Sequence, residues 1–208
     1  MDHKRQHWVP QGYLKTWCDP STPSGHEPYV WQFTKDGSAA RKRSPKKIFQ
    51  ESELYTIKLP DGARDLRVEH GLAGLESDFV RIRETKLVQG LPLGEEEHLL
   101  VCVFIAAIQS RTPFFLDHWR SNWERVAQIG RDLQHAIDAG DRPYASLPGG
   151  GPTFSQDDVE SLASAERGAL LVPLIETQIP ILLRMNLSLF ESRDALGFIT
   201  SDSPCVWF

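Results

Sequence analysis

Residues 99–108 are apolar on nearly every side, and they constrain the fold more than any other part of the chain. Three glutamates at 95–97 precede them and favour a helix N-terminus, because negative charge is stabilised at the positive end of a helix dipole. A helix that is hydrophobic all round has no face to give to water, so other elements must cover it. We therefore predict a buried central helix from Glu95 to about Gln109.

Two more helices are predicted beside this central one. Apolar residues recur at three- and four-residue spacing over 68–82, which places them on one helix face. Thr112 is a candidate N-cap in front of Pro113, whose missing N–H costs nothing at the first helical position. A long apolar stripe at helical spacing then runs over 115–137.

A further helix is predicted in the last third of the chain. Ser155 and Asp158 have the spacing of a capping box, in which each side chain satisfies a backbone N–H of the other residue. Pro173 and Pro180 lie inside the apolar run that follows. Since proline removes a helical hydrogen bond and clashes with the preceding turn, we expect the helix to be interrupted at both positions.

Strand signals occur in two separate regions. Residues 29–33 and 54–57 are rich in strand formers, a second strand is expected from about Ala40, and turns are predicted at 36–37 and 60–62. These predict a small antiparallel sheet of two or three strands. Alternating residues within 187–207 predict a C-terminal hairpin that joins this sheet. The predicted fold class is α+β, with a mostly helical body.

The composition excludes several classes of protein. The chain has 208 residues, 40% of them hydrophobic and 25% charged, and a formal net charge of −5, which together fit one soluble domain better than a strongly basic nucleic-acid binder. The N-terminus lacks a signal-peptide core, and the longest apolar run is about half of a bilayer span, so we predict a cytoplasmic protein without a membrane partner. Three scattered cysteines and seven histidines show no metal-ligand spacing, and the sequence identifies no cofactor.

The N-terminal motif, residues 6–14 (QHWVPQGYL), holds the first candidate site residues. His7 is a candidate catalytic residue, because an imidazole titrates near neutral pH and can exchange a proton as general acid or base. Gln11 and Tyr13 lie within a turn of it if the segment is helical, and are candidates to bind substrate by hydrogen bonds. The structural alternative is that His7 caps the following helix or packs against Trp8.

The C-terminal motif, residues 200–204 (TSDSP), holds the second set of candidates. Asp202 follows an apolar stretch and precedes a proline, a context that presents a carboxylate as a fixed acid, base or metal ligand. Thr200 and Ser201 add hydroxyl groups for substrate binding. The structural alternative is a turn in which Asp202 bonds its own backbone.

Arg111 is the third catalytic candidate, at the end of the predicted central helix. A guanidinium there can hold a carboxylate or phosphate bidentately. The alternative is that its charge only complements the negative end of the helix dipole. A basic run at 41–47 is a candidate contact for a nucleic-acid backbone, flanked by Phe33 and Phe49, and the alternative is a solvated hairpin face.

The two end motifs together resemble a bacterial family of unknown function, DUF4238, which pairs a His-aromatic-Val-Pro-Gln opening with a later Thr-Ser-Asp-Asn-Pro motif. Here Ser203 replaces the Asn. Residues 30–33, 54–55, 75–79 and 111–113 are also similar. The resemblance implies one domain over 1–208. Since members usually continue well past this motif, either the chain is cut short at its C-terminus or its last residues pack as a closing strand.

We expect His7, Asp202 and Arg111 to meet in one cleft. The first functional hypothesis is a hydrolase acting on a phosphate ester or nucleic acid, in which Asp202 orients His7 or holds a metal and Arg111 binds the anionic group. The alternative is a non-catalytic module that recognises a nucleic acid, nucleotide or peptide through the same cleft. The partners expected are therefore a nucleic acid or a phosphorylated small molecule.

Overall fold

The structure is a computed structural model that describes residues 5–140, 155–193 and 197–205. The described residues form a mostly helical α+β fold, as predicted. In chain order the elements are β1 (Arg5–His7), α1 (Gln11–Leu14), β2 (Val30–Phe33), β3 (Ala40–Arg43), β4 (Gln50–Ser52), β5 (Ile57–Lys58), β6 (Arg64–Asp65), α2 (Arg67–Ile82), α3 (Glu95–Ser110), α4 (Pro113–Asp138), α5 (Gln156–Ser164) and α6 (Arg167–Leu182).

Helix α3 is the buried centre that its sequence predicts. It contacts α2, α4 and α6, and half of its residues are buried. Phe104 of α3 stacks on Phe79 of α2 with ring centroids 3.6 Å apart. The main core cluster joins four of the helices to the segment after β4; it consists of Leu54, Tyr55, Leu72, Ala107, Leu116, Leu170, Leu171 and Leu174.

The predicted helix starts are confirmed by their capping hydrogen bonds. The Glu97 carboxylate accepts from the backbone N–H of Gly94 at 2.9 Å. The Thr112 hydroxyl accepts from the N–H of Phe115 at 3.3 Å and caps α4. The capping box of α5 forms as expected, with the Ser155 and Asp158 side chains each accepting from the other's backbone N–H.

The expectation that prolines interrupt the last helix is wrong. Helix α6 runs without a break through Pro173 and Pro180. Its apolar residues pack against α3, including Leu171 and Leu174, and this packing offsets the hydrogen bonds that the prolines remove. The break lies earlier, between α5 and α6, where residues 165–166 are extended.

The strands form three separate two-stranded antiparallel ribbons instead of one sheet. Strand β1 pairs with β4, β2 with β3, and β5 with β6. Each ribbon has only two to four residues per strand, so it is held by the helices and loops beneath it. The turns predicted at 36–37 and 60–62 are confirmed, with Gly37 and Gly62 at φ 71° and 79°.

The predicted C-terminal hairpin is wrong. No residue described in 187–193 or 197–205 belongs to a strand, while the turn residues 194–196 and the end at 206–208 lie outside the described part of the chain. Alternation supplies an apolar face, but a strand also needs a second backbone to pair with. Phe190 and Ile199 remain exposed here at 84% and 91%.

In the described ranges no single helix is long and apolar enough to cross a bilayer; only α3 and α4 together reach that length, and they are bent by 70°.

Candidate functional site

The N-terminal motif is fixed by two buried residues, one on either side of Gln11 and Tyr13. Val9 and Leu14 are 0% and 1% exposed and pack with Val30 and Ile48. Pro10 is the N-cap of α1, at φ −57° and ψ 138°. This rigid bend holds strand β1, which ends at His7, in a defined position relative to α1.

The Gln6 side chain joins β1 to the residues that follow β4 by two hydrogen bonds. Its buried side-chain oxygen accepts from the backbone N–H of Tyr55, and its amide nitrogen donates to the Thr56 hydroxyl at 3.1 Å. These bonds satisfy a polar side chain that is fully shielded from water. They place His7, the next residue, at the edge of the helical core.

Arg111 caps the C-terminus of α3 and is only 1% exposed. Its Nε donates to the backbone oxygen of Trp8 at 2.8 Å, and its Nη1 donates to the Glu76 carboxylate at 2.8 Å. The Tyr55 hydroxyl donates to the Arg111 backbone oxygen at 2.9 Å. The side chain therefore joins the N-terminal motif, α2 and α3, and its remaining nitrogen, Nη2, is buried without a hydrogen-bond partner among the described protein groups.

His7 is half-buried beside Arg111. Burial lowers the pKa of its imidazole; backbone groups of Lys46 and Pro45 and the charge of Glu76 oppose this shift, while the Arg111 charge reinforces it. Its Nδ1 lies 3.4 Å from the Gln11 amide nitrogen. The amide offers both a donor and an acceptor, so it can pair with either ring tautomer. The Lys46 and Pro45 backbones lie near the ring, but the other ring nitrogen, Nε2, is buried and forms no hydrogen bond of good geometry with the described protein groups.

Two glutamates of α2 complete the site. Glu69 and Glu76 are seven residues apart, about two helical turns, and so lie on the same face of the helix. Burial raises the pKa of Glu69, the nearby Glu76 charge raises it further, and Arg111 opposes the shift. Neither carboxylate was predicted from the sequence to be a site residue. The sequence signal that could have identified them is their spacing of two helical turns, which places both carboxylates on one face beside the apolar residues of 68–82.

These side chains surround a cavity of about 100 Å³. Its lining is mainly polar and consists of His7, Gln11, Glu69, Leu72, Ala73, Glu76 and Arg111. The volume suffices for several water molecules or one small polar group. The structure thus brings together three of the predicted site residues, His7, Gln11 and Arg111, and adds two carboxylates to them.

The C-terminal motif meets the N-terminal motif beside this cavity. The hydroxyls of Tyr13 and Thr200 are 2.9 Å apart and hydrogen-bonded. Burial raises the pKa of the Tyr13 hydroxyl, and that bond opposes the shift. Burial also raises the pKa of the Cys205 thiol to about 11, against the charge of Arg111. Residues 200–205 therefore lie beside the N-terminal motif.

Asp202 and Ser201 do not reach the cavity. Both are exposed, and neither belongs to its lining. The Ser201 hydroxyl donates to the backbone oxygen of Ser203 at 2.9 Å and accepts from its N–H at 3.1 Å, which is a local turn made by serine rather than by aspartate. The cavity residue hydrogen-bonded to His7 is therefore Gln11, not Asp202.

Within the described ranges, no three His, Cys, Asp or Glu side chains are grouped closely enough to hold a metal ion.

These features define a mostly helical α+β protein with a polar cavity enclosed by its N-terminal segment and two core helices. The chain belongs to the family described as Protein of unknown function (DUF4238), whose sequence model matches residues 5–208. The resemblance carried by the two end motifs is thereby confirmed over nearly the whole chain. No curated protein and no solved structure matches the chain.

Proposed function

We propose that the cavity is the active site of a hydrolase that acts on a phosphate ester. The observation that carries this proposal is the pair of buried nitrogens, His7 Nε2 and Arg111 Nη2, which belong to residues lining one cavity and have no partner among the described protein groups. A buried polar group without a partner costs about 1–3 kcal/mol. Two such groups at one polar cavity are explained if a ligand with acceptor oxygens binds Arg111 Nη2 and a water molecule donates to His7 Nε2.

Arg111 is the group that binds the phosphoryl oxygens. Its Nε and Nη1 bonds hold the guanidinium in one orientation, and its Nη2 supplies a charged donor. A charged donor that is already positioned needs no reorganisation when negative charge develops in the transition state. Glu76 serves as the residue that positions Arg111.

The opposite pKa shifts of His7 and Glu69 assign the acid and the base. His7 has a lowered pKa, so its neutral ring is available as the base. Glu69 has a raised pKa, which favours its protonated form and makes it the acid. His7 accepts a proton from the attacking water, the new P–O bond forms, and the ester P–O bond breaks. Glu69 gives its proton to the leaving oxygen, so the products are an alcohol and phosphate.

The size of the cavity limits what it encloses. A volume of about 100 Å³ accommodates the phosphoryl group and its attacking water, but not a whole nucleotide. The alcohol part of the substrate therefore lies outside the cavity, towards solvent. Tyr13, which belongs to the same motif as His7, and its hydrogen-bond partner Thr200 are the proposed contacts for that part.

The test is hydrolysis of p-nitrophenyl phosphate and of its diester analogue by the wild-type chain and by His7→Asn. We expect kcat to fall roughly 10²–10⁴-fold in His7→Asn. His26→Asn is the matched control, because His26 is an exposed histidine in a loop. No hydrolysis of either ester by the wild type, or equal rates in the two variants, would contradict the proposal.

A second candidate function is binding of a phosphate group without catalysis. The ion pair of Arg111 with Glu76 favours it, because the carboxylate neutralises the charge that would stabilise a phosphoryl transition state. Calorimetric titration with inorganic phosphate separates the two functions. Binding that is lost in Arg111→Lys, together with no turnover of either ester, would support this second function.

A further inference from the structure

We propose that the ribbon formed by β2 and β3 is a binding surface for single-stranded nucleic acid. This surface, which we call the aromatic–basic ribbon, consists of residues 29–33 and 40–47. It is distinct from the cavity, and the inference does not rest on the proposed hydrolase function. Its evidence is the register of the ribbon, the exposure of its rings and the absence of carboxylate partners for its cations among the described residues.

The register places three aromatic rings and the Lys42 side chain on one face. In the antiparallel pairing, Trp31 lies opposite Lys42 and Phe33 lies opposite Ala40. Directly opposed residues point to the same side of a ribbon, and residues two apart in a strand share a face. Tyr29, Trp31 and Phe33 therefore follow one another on the face that also carries Lys42.

Two of these rings are open to solvent. Trp31 is 47% exposed and Phe33 is 62% exposed, although both are large apolar residues that ordinarily lie inside a protein. Phe49, the other ring that flanks the basic run in the sequence, is half-buried and packs edge-on against Trp8. The stacking surface is therefore formed by the β2 rings and excludes Phe49.

The Trp31 ring is held in a fixed orientation. Its indole nitrogen donates to the Asp19 carboxylate at 3.1 Å, and the Tyr29 hydroxyl donates to the same carboxylate at 2.9 Å. The Lys42 ammonium lies 4.3 Å from the centroid of the Tyr29 ring and 5.2 Å from that of Trp31. An orientation fixed before binding lowers the entropy lost when a base stacks on the ring.

The charge of the ribbon complements a phosphate backbone. Five cations, Arg41, Lys42, Arg43, Lys46 and Lys47, occupy seven residues of a chain whose formal net charge is −5. Lys42 shares the face of the rings, whereas Arg41 and Arg43 pair with Gln32 and Val30 and point to the other face of the ribbon. All five are exposed, and none forms an ion pair with a carboxylate among the residues that the structure describes. Exposed rings beside unneutralised cations are the combination that binds single strands, since unpaired bases stack while phosphates contact the cations.

A single strand fits this surface better than an anionic membrane does. Insertion of Trp31 into lipid would carry the Asp19 carboxylate and the Lys42 ammonium towards the hydrocarbon, at a large desolvation cost. A duplex is also disfavoured, because its bases are already stacked on one another. Base stacking from solvent leaves both charged groups hydrated.

The test is fluorescence anisotropy of a labelled oligothymidylate, about 20 nucleotides long, at about 50 mM salt. We expect binding by the wild type and an affinity roughly tenfold weaker in Phe33→Ala. Phe114→Ala is the matched control, because Phe114 is 79% exposed and belongs to helix α4, not to the ribbon. Both rings are exposed, so neither change should affect folding.

The charged half of the surface is tested by the salt dependence. Lys42→Gln, on the face of the rings, should reduce the slope of log affinity against log salt by about 0.7, the value for one lost contact to a single strand. Arg125→Gln, at an exposed position of α4, should leave the slope unchanged. Three outcomes would overturn the inference: no binding by the wild type, equal affinities of the two Phe variants, or stronger binding to duplex DNA or to phosphatidylserine vesicles than to the oligothymidylate.

Discussion

The Tyr13 hydroxyl is hydrogen-bonded to the Thr200 hydroxyl at 2.9 Å, across 187 residues of sequence. This bond joins the two motifs by which the family resemblance is recognised. Both residues are partly buried, so the bond is shielded from competing water. It gives a physical reason for the two motifs to occur in one protein, since each supplies half of a contact that holds the C-terminal segment beside the site.

A double-mutant cycle of Tyr13→Phe and Thr200→Val measures this bond. Each single change should lower the free energy of unfolding by about 1 kcal/mol, because it removes one partner of a partly buried hydrogen bond. The double change should cost less than the sum of the two, by an interaction energy of about 0.5–1 kcal/mol. The free energies are measured by urea unfolding. Strictly additive losses would contradict a direct interaction between the two hydroxyls.

The Arg111–Glu76 ion pair should respond unequally to removal of its two members. Arg111→Met leaves the Glu76 carboxylate beside apolar atoms and should lower the free energy of unfolding by about 3 kcal/mol. Glu76→Gln keeps an acceptor for Nη1 and should cost about 1 kcal/mol, also because the Glu76 side chain is 27% exposed. Urea unfolding of both variants gives the comparison. Equal losses of unfolding free energy in the two variants would contradict the prediction that an unpaired Glu76 carboxylate is the larger cost.

The buried imidazole of His7 predicts a loss of stability on the acidic side. Its folded-state pKa lies below the ordinary 6.5, so the unfolded chain takes up the proton first as the pH falls. The free energy of unfolding should therefore decrease as the pH falls from 6.5 to the folded pKa, and this residue should have no effect above that range. The Tm of the wild type should fall more than that of His7→Asn between about pH 7.5 and pH 5.

Glu69 has the opposite shift and contributes with the opposite sign. Its pKa is raised above 4.5, so the folded chain holds a proton that the unfolded chain has already lost. Its contribution to stability therefore decreases as the pH rises through the folded pKa. Comparing the pH profiles of His7→Asn and His26→Asn isolates the effect of His7, since Glu69 is present in both. Identical profiles for these two variants would contradict the prediction.

The local part of this fold could be predicted from the sequence, because its signals lie within a few residues of one another. The periodicity of 68–82, the glutamates before α3 and the Thr112 cap each identify an element through i to i+4 contacts. The continuity of α6 could not be predicted, since the packing of α6 against α3 decides it. Strand pairing is likewise non-local: β1 finds its partner about 45 residues away in β4.

The candidate site shows the same division. His7, Gln11 and Arg111 were identifiable from their residue types and positions, and they line one cavity. Glu76 was not, because its role depends on the contact of α2 with the end of α3, 35 residues further along the chain. Asp202 carried an equally strong local signal, yet the return of the chain at Thr200 leaves it exposed. A reactive residue type in a short motif predicts a candidate, whereas its neighbours depend on tertiary packing.

Among the glycines of the described helices, Gly168 faces backbone atoms, and its replacement should therefore be costly. A Cβ at this position in α6 would lie 2.5 Å from the backbone oxygen of Tyr55, which cannot rotate away as a side chain can. Gly168→Ala should therefore lower the free energy of unfolding by about 1–3 kcal/mol, the cost of overpacking a core. Gly71→Ala is the matched control, since a Cβ there meets nothing within 4 Å on an exposed face of α2.

Gly71→Ala should raise the free energy of unfolding by about 0.5–1 kcal/mol, because alanine loses less backbone entropy in a helix. Gly168→Ala should also act on the site, because the Tyr55 hydroxyl donates to the Arg111 backbone oxygen. A displacement of Tyr55 would shift the guanidinium, so any phosphate affinity should fall in this variant and stay unchanged in Gly71→Ala. Urea unfolding and phosphate titration measure the two effects, and a Gly168→Ala protein as stable as the wild type would show that α6 does not press on Tyr55.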